Sequence, residues 1–247
     1  MSEAPAVRGD ISPSIHPTSL IGRAPALDVP GTMGQHIYTE AQTALTVVYN
    51  TLGEIRDVRA QVEKTNQTNR EGVQGGRIVR LVAYPDSFFD GVDRAFGRAS
   101  RQVDAADAGI NAKIASLASR VETMLTDPAV NKPVAVEIRA HAKSLTESKR
   151  VAFIQEAAKN KDRATLASLL AGPAYLSGMS REQADLARTL AEEVFAPVEG
   201  AQLRAARVVL DRVREAGSAL VAYYGEVTAL RDTPASRARR AIDKLGA

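Results

Sequence analysis

The residues that could do chemistry in this 247-residue chain are few and scattered. Its three histidines are His16, His36 and His141. None has a second histidine at the i+3 or i+4 spacing of a metal site on a helix, and the carboxylates at that spacing, Glu40 for His36 and Glu137 for His141, make single pairs short of a ligand set. The reading is structural for all three. The adjacent acids Glu192 and Glu193 face different directions on a helix, so they read as a solvated face rather than a general acid/base pair. Gly72, Gly75 and Gly76 resemble a phosphate loop only superficially, because no Lys-Ser/Thr follows them and their spacing fits neither nucleotide fingerprint. They read as a turn. There is no G-x-S-x-G, and the tripeptide Arg8-Gly9-Asp10 is short enough to arise by chance.

Composition closes off further classes. The chain has no cysteine, which excludes disulfides, cysteine-ligated zinc, iron–sulfur clusters and thiol nucleophiles. The expectation is therefore a protein with no catalytic residues, no metal and no cofactor. No basic n-region with an apolar run opens the sequence, so no signal peptide is expected. The uncharged stretch 164–180 is short for a membrane span and is broken by Gly172, Pro173 and Gly178, so it reads as buried loop and helix.

Charge singles out one segment. Residues 231–247 contain Arg231, Arg237, Arg239, Arg240 and Lys244 against Asp232 and Asp243, which accounts for the whole net charge of +3. The other 230 residues balance at 27 bases and 27 acids, so no broad basic face for duplex DNA is expected. Arg237, Arg239 and Arg240 have two readings. They are either the bases that complement a helix C-terminus or a contact with nucleic acid or another anionic partner. The acids in the tail and the lack of an interleaved aromatic favour the first.

The elements that position these residues are helical. The 42 alanines, the absence of tryptophan and an aromatic content of 4% predict thin-layered, closely apposed helices, an all-α fold. The expected architecture is an elongated bundle of three long heptad-patterned helices with a smaller helical subdomain. Residues 1–34, with nine prolines and glycines and isolated apolar residues, read as an extended N-terminal arm. Ile11, Ile15, Leu20 and Ile21 are its candidate anchors on a neighbour.

Residues 35–127 read as a long helical hairpin. Its first helix spans about His36 to Thr65, roughly 45 Å long, with a seam of Ala41, Leu45, Val48, Leu52, Ile55, Arg59 and Val62 that alternates by three and four and has one polar break. The loop 66–85 contains at most one short β-hairpin, near 72–84. The second helix follows Pro85 and stops near Thr126, before Asp127-Pro128. Its seam includes Phe89, Val92, Phe96, Ala99, Val103, Ala106, Ile110, Ile114, Leu117, Val121 and Met124. The successive four-residue steps Ala106–Ile110–Ile114 form a stutter, which locally unwinds a left-handed supercoil.

Residues 128–197 read as a subdomain of short helices near 134–145, 147–160, 162–171 and 181–195, the last opened by a Ser180/Gln183 capping box. A third long helix occupies 198–232, with Leu203, Ala206, Leu210, Val213, Gly217, Leu220, Tyr224 and Val227 on its seam. A basic tail helix closes the chain at 233–247. The seams can pair within the chain or between copies, and helices this long favour self-association.

The segment 145–180, with Glu147, Lys149 and Arg150 on one helix, a polar turn at Lys159–Asp162, a Leu/Ala helix and then Gly-Pro-Ala-Tyr-Leu-Ser-Gly, resembles virion-associated helical proteins of tailed bacteriophages and prophages. The resemblance covers about a seventh of the chain. It implies a structural protein of a neck, capsid, scaffold or ejected core, located in the virion or otherwise in the cytoplasm, with no enzymatic residues. The partners expected are further copies of the chain and other structural proteins, with nucleic acid as the alternative through the tail. A second alternative is an enzyme or small-ligand protein with a pocket in 128–197.

Overall fold

The computed structural model describes residues 4–21, 24–27, 29–74, 77–126 and 132–245. Its described residues form eight α-helices and one hairpin: α1 Met33–Thr65, β1 Gln67–Gln74, β2 Arg77–Val82, α2 Asp86–Leu125, α3 Lys132–Ser144, α4 Glu147–Lys159, α5 Arg163–Leu170, α6 Arg181–Phe195, α7 Pro197–Ala229 and α8 Pro234–Leu245. The fold is all-α with three long helices. None of the helices is long and apolar enough to cross a membrane among the described residues.

Local chemistry sets the helix ends. The Thr32 side chain accepts the Gln35 N–H, and the Gln35 side-chain oxygen accepts the Gly31 N–H, so α1 begins three residues before the expected start. Ser180 and Gln183 form the full reciprocal capping box at α6. Asp162 caps α5, and the Thr233 hydroxyl accepts the Ser236 N–H at the start of α8. Gly178 ends a 3-10 turn at φ +66°, close against Lys143 and Arg150, where a side chain would be strained.

The chain divides into two compact units, residues 1–111 with 208–247 and residues 112–207. This differs from the expected domain limits: the 128–197 subdomain lies within a larger unit, and the chain passes between units inside α2 and inside α7. The break in α2, at Asn111/Ala112, falls on the stutter between Ile110 and Ile114.

In the first unit α1, α2 and α7 pack in an up-down-up order. Glu40 lies against Gly109, while at the other end of α1 the Glu63 carboxylate accepts the Tyr84 hydroxyl just before α2, so the two helices run antiparallel. Between α2 and α7 the contacts descend from Asp93–Tyr224 (3.1 Å) through Val103–Gly217 to Asp107–Arg214 (2.6 Å), again antiparallel. Arg59 binds Glu226 at 2.6 Å and the Arg56 guanidinium sits 4.8 Å from the Tyr223 ring centre, which aligns α1 parallel to α7. Arg59, the polar break in the α1 seam, is therefore an interhelical ion pair.

The arm is not extended. Three short 3-10 turns, 13–15, 17–20 and 25–27, each start at a proline and each end on a buried apolar residue: Ile15, Leu20 and Leu27. Proline presets the φ of a first helical position, so each turn costs little to form. The turns lie on α1, whose buried set consequently widens beyond the seam to include Ile37, Ala44 and Tyr49. The hairpin also differs from expectation. It spans 67–82, with Gln67 opposite Val82 and Gln74 opposite Arg77, and its register shifts between Gln67 and Glu71.

The second unit packs α3 on α5, α5 on α6 and α4 on α6, with the end of α2 and the start of α7. Its core is Leu117, Val121, Leu125, Ile154, Leu166, Leu169, Met179 and Leu203, together with many alanines. Arg150 closes the α3–α4 turn by donating to the carbonyls of Ala142 (2.9 Å) and Leu145 (2.8 Å) and to the Gln183 side chain (3.3 Å). These bonds satisfy carbonyls that a helix end otherwise leaves open.

Candidate functional site

The three histidines sit in three unrelated places. His16 is 2% exposed and stands edge-on to Tyr49. Its Nε2 faces the Pro5 carbonyl at 2.8 Å, which can only accept, so Nε2 carries the proton. Nδ1 then accepts the Thr18 N–H at 3.2 Å. His16 is a capping residue of the arm. His36 is exposed on α1, and His141 is exposed with its ring 5.3 Å from that of Phe153. Among the described residues no cluster of three or more His, Asp or Glu could hold a metal ion.

The acids are engaged structurally. Glu193 is exposed, but Glu192 is buried between Arg188 (3.3 Å) and Arg204 (2.8 Å), so the expectation of a solvated pair holds for only one of them. The reason is Arg204 on α7, twelve residues beyond Glu192 and outside any helix-face argument. Gly72 pairs with Val79 in the hairpin ladder rather than lying in a loop, while Gly75 and Gly76 fall outside the described residues. Arg8 of the Arg-Gly-Asp tripeptide lies over Gly53 and binds Asp57 at 2.6 Å and Asp10 at 3.0 Å, and its N–H donates to the Tyr49 hydroxyl. Those bonds hold Asp57 and Asp10 below the usual carboxylate range.

Three of the four arm anchors belong to the chain's own core. Ile11, Ile15 and Leu20 are buried within the chain itself, whereas Ile21 is 65% exposed. A period-free, Pro/Gly-rich sequence hid a packed segment, because apolar residues placed by proline turns follow neither a helical nor a strand repeat.

The tail residues also divide. Arg237 and Arg239 are exposed on α8. Arg240 donates to the Arg231 carbonyl at 2.6 Å and lies 3.8 Å from Asp86, so much of it is committed within the chain. α8 itself is docked by Ser236, fully buried, whose hydroxyl accepts the Tyr84 N–H at 3.2 Å. Arg237, Arg240 and Lys244 line a shallow basic hollow of about 320 Å³.

The most elaborate polar cluster joins α1, Tyr84 and α7. The Glu63 carboxylate accepts the Tyr84 hydroxyl (2.6 Å) and Arg59 Nε (2.8 Å), and Arg59 reaches on to Glu226. Burial works against the charged Glu63, but the two donors outweigh it and hold its carboxyl below the usual range; burial and Glu63 push the Tyr84 hydroxyl above its own. Glu63, Tyr84, Arg59 and Glu226 each face a partner within this cluster, which locks the helices together.

Among the described residues three larger hollows stand out. The second unit has one of about 470 Å³, with Leu125, Ala135, Val136 and Leu170 beside Glu122, Lys132 and Arg139. His141 does not line it, and Glu122 is bound to Arg188. A groove of about 530 Å³ runs between α2 and α7 in the first unit, with Ser100, Val103, Gly217, Ser218 and Ala222 along it, Asp104 and Arg214 beside them and Val221 exposed at its edge. The third, about 680 Å³, lies between the root of the hairpin and α8. Sequence periodicity marked none of these, since each is lined by residues from distant segments.

No protein-family model, curated protein or solved structure matches the chain.

Proposed function

We propose that the chain is a non-enzymatic structural subunit that assembles with further copies of itself, of the kind found in tailed-phage particles. The observation that carries the reading is the α2–α7 groove. At Gly217, where a Cβ would stand 2.9 Å from Val103 Cγ1, α7 sits close against α2, and the groove beside this contact is lined by Ser100, Ser218 and Ala222 with Val221 exposed alongside. A helix of a second copy can lie close along such a surface. Because most seam residues are buried within the chain, the exposed Val58 of α1 and Val198, Val208 and Val221 of α7 are apolar positions of the long helices open to self-association. The phage assignment rests on the resemblance of 145–180, which folds as α4, a polar turn, α5 and the 3-10 turn ended by Gly178.

Mass in solution tests the reading. The native chain is expected to sediment above monomer mass, and Val221→Glu to return it to monomer with helicity unchanged. A native chain that stays monomeric at every concentration and occurs in no assembled particle would defeat the proposal.

A further inference from the structure

We infer that the groove between α8 and the root of the hairpin is a docking site for an acidic amphipathic helix of a partner protein. One face of α8, Ala235, Ala238, Arg239 and Ile242, forms one wall of this groove of about 680 Å³. Opposite stand Leu81 and Ala83, where β2 leads into α2, and the uncharged Thr65, Asn66 and Gln67 at the end of α1. Ile242 is 65% exposed on the last turns of α8, and no acid lines the groove among the described residues. A helix laid into a groove presents anchors at i, i+3, i+4 and i+7, which suits an apolar trough of this kind.

The charge of the occupant follows from where the chain keeps its own. All of the net positive charge sits in residues 231–247, with Arg239 on the groove itself and the exposed Arg237 and Lys244 around the next face of α8. An apolar strip bordered by bases is complementary to a helix with an apolar strip bordered by acids. Nucleic acid fits less well: phosphodiester gains nothing from Ile242, Leu81 and Ala83, and no aromatic lines the groove for base stacking. This inference does not depend on whether the chain self-associates.

The test is fluorescence anisotropy with the full chain and a labelled synthetic helix carrying leucines at i, i+3, i+4 and i+7 and glutamates elsewhere. Three competitors complete it: the same helix with lysines for glutamates, the same helix with serines for leucines, and a duplex DNA oligonucleotide. The Leu/Glu helix is expected to bind best. Ile242→Ser should weaken it about tenfold, and Arg239→Glu should weaken it several-fold and flatten its salt dependence. Circular dichroism should report both variants folded, since both positions are exposed. Absence of binding, equal binding by the serine helix, tighter binding by DNA, or affinity unmoved by Ile242→Ser would each overturn the assignment.

Discussion

Replacing Gly217 by alanine puts two opposing effects of similar size on one atom. In an exposed helix interior, Gly→Ala stabilises by about 1 kcal/mol through backbone entropy. At Gly217 the new Cβ would sit 2.9 Å from Val103 Cγ1, inside contact distance. Val103 is β-branched on a helix, where one χ1 rotamer dominates, so it cannot turn aside cheaply. Overpacking of this kind costs about 1–3 kcal/mol, and Gly217→Ala is expected to lower stability by up to about 2 kcal/mol despite the better helix former. Val103→Ala alone should cost about 1.5–3 kcal/mol from lost burial and the cavity it leaves. In the double variant the alanine methyl occupies part of that cavity, so the two losses should fall short of additivity by about 1 kcal/mol or more. Urea unfolding of the four proteins completes the cycle. A Gly217→Ala variant more stable by the full helix-propensity gain, with no coupling to Val103, would show that α2 and α7 do not approach this closely.

The arm separates core from surface in a single comparison: Ile15→Ala should cost about 2–5 kcal/mol, whereas Ile21→Ala should change stability by under about 0.5 kcal/mol in thermal or urea unfolding. Acid tests the Glu63 cluster. Because the folded Glu63 carboxyl titrates below its unfolded value, its contribution is present above the ordinary glutamate range and is lost as pH falls through the folded value. Glu63→Gln should therefore give a flatter stability profile between about pH 5 and 3 than the native chain, and identical slopes would remove Glu63 from the account.

The helices were legible because their period is long and repeated. α6 begins and ends where its capping box and the following Pro197 place it, and α2 stops one residue short of the expected end. The three long seams are also mostly buried, from Leu45 and Leu52 on α1 to Leu210 and Val213 on α7. What escaped the sequence is everything that joins distant segments. Arg59 and Glu226 are 167 residues apart and Asp93 and Arg231 are 138 apart, and neither pair leaves a local trace. Glu192 was misread for the same reason. The arm failed differently: a proline followed two or three residues later by a large apolar residue marks its three buried turns, but the same spacing at Pro5–Val7 leaves Val7 exposed, and the pattern belongs to no regular repeat. The groove on α8 was half legible, since the basic tail stood out by charge while the apolar strip depends on Leu81 and Ala83 from another element.

The arm's seat on α1 sets an order of events during synthesis. Its contacts close over short spans, Arg8 reaching Asp57 across 49 residues, whereas the link from Ser14 to Glu215 spans 201. A chain growing at about 5–20 residues per second completes the arm and α1 several seconds before α7 emerges. Throughout that interval α1 would otherwise offer Ile37, Leu45 and Tyr49 to any other nascent chain. The proline turns cover part of that side of α1, with Arg8 and His16 on Tyr49, so this apolar helix finds partners in the sequence that directly precedes it.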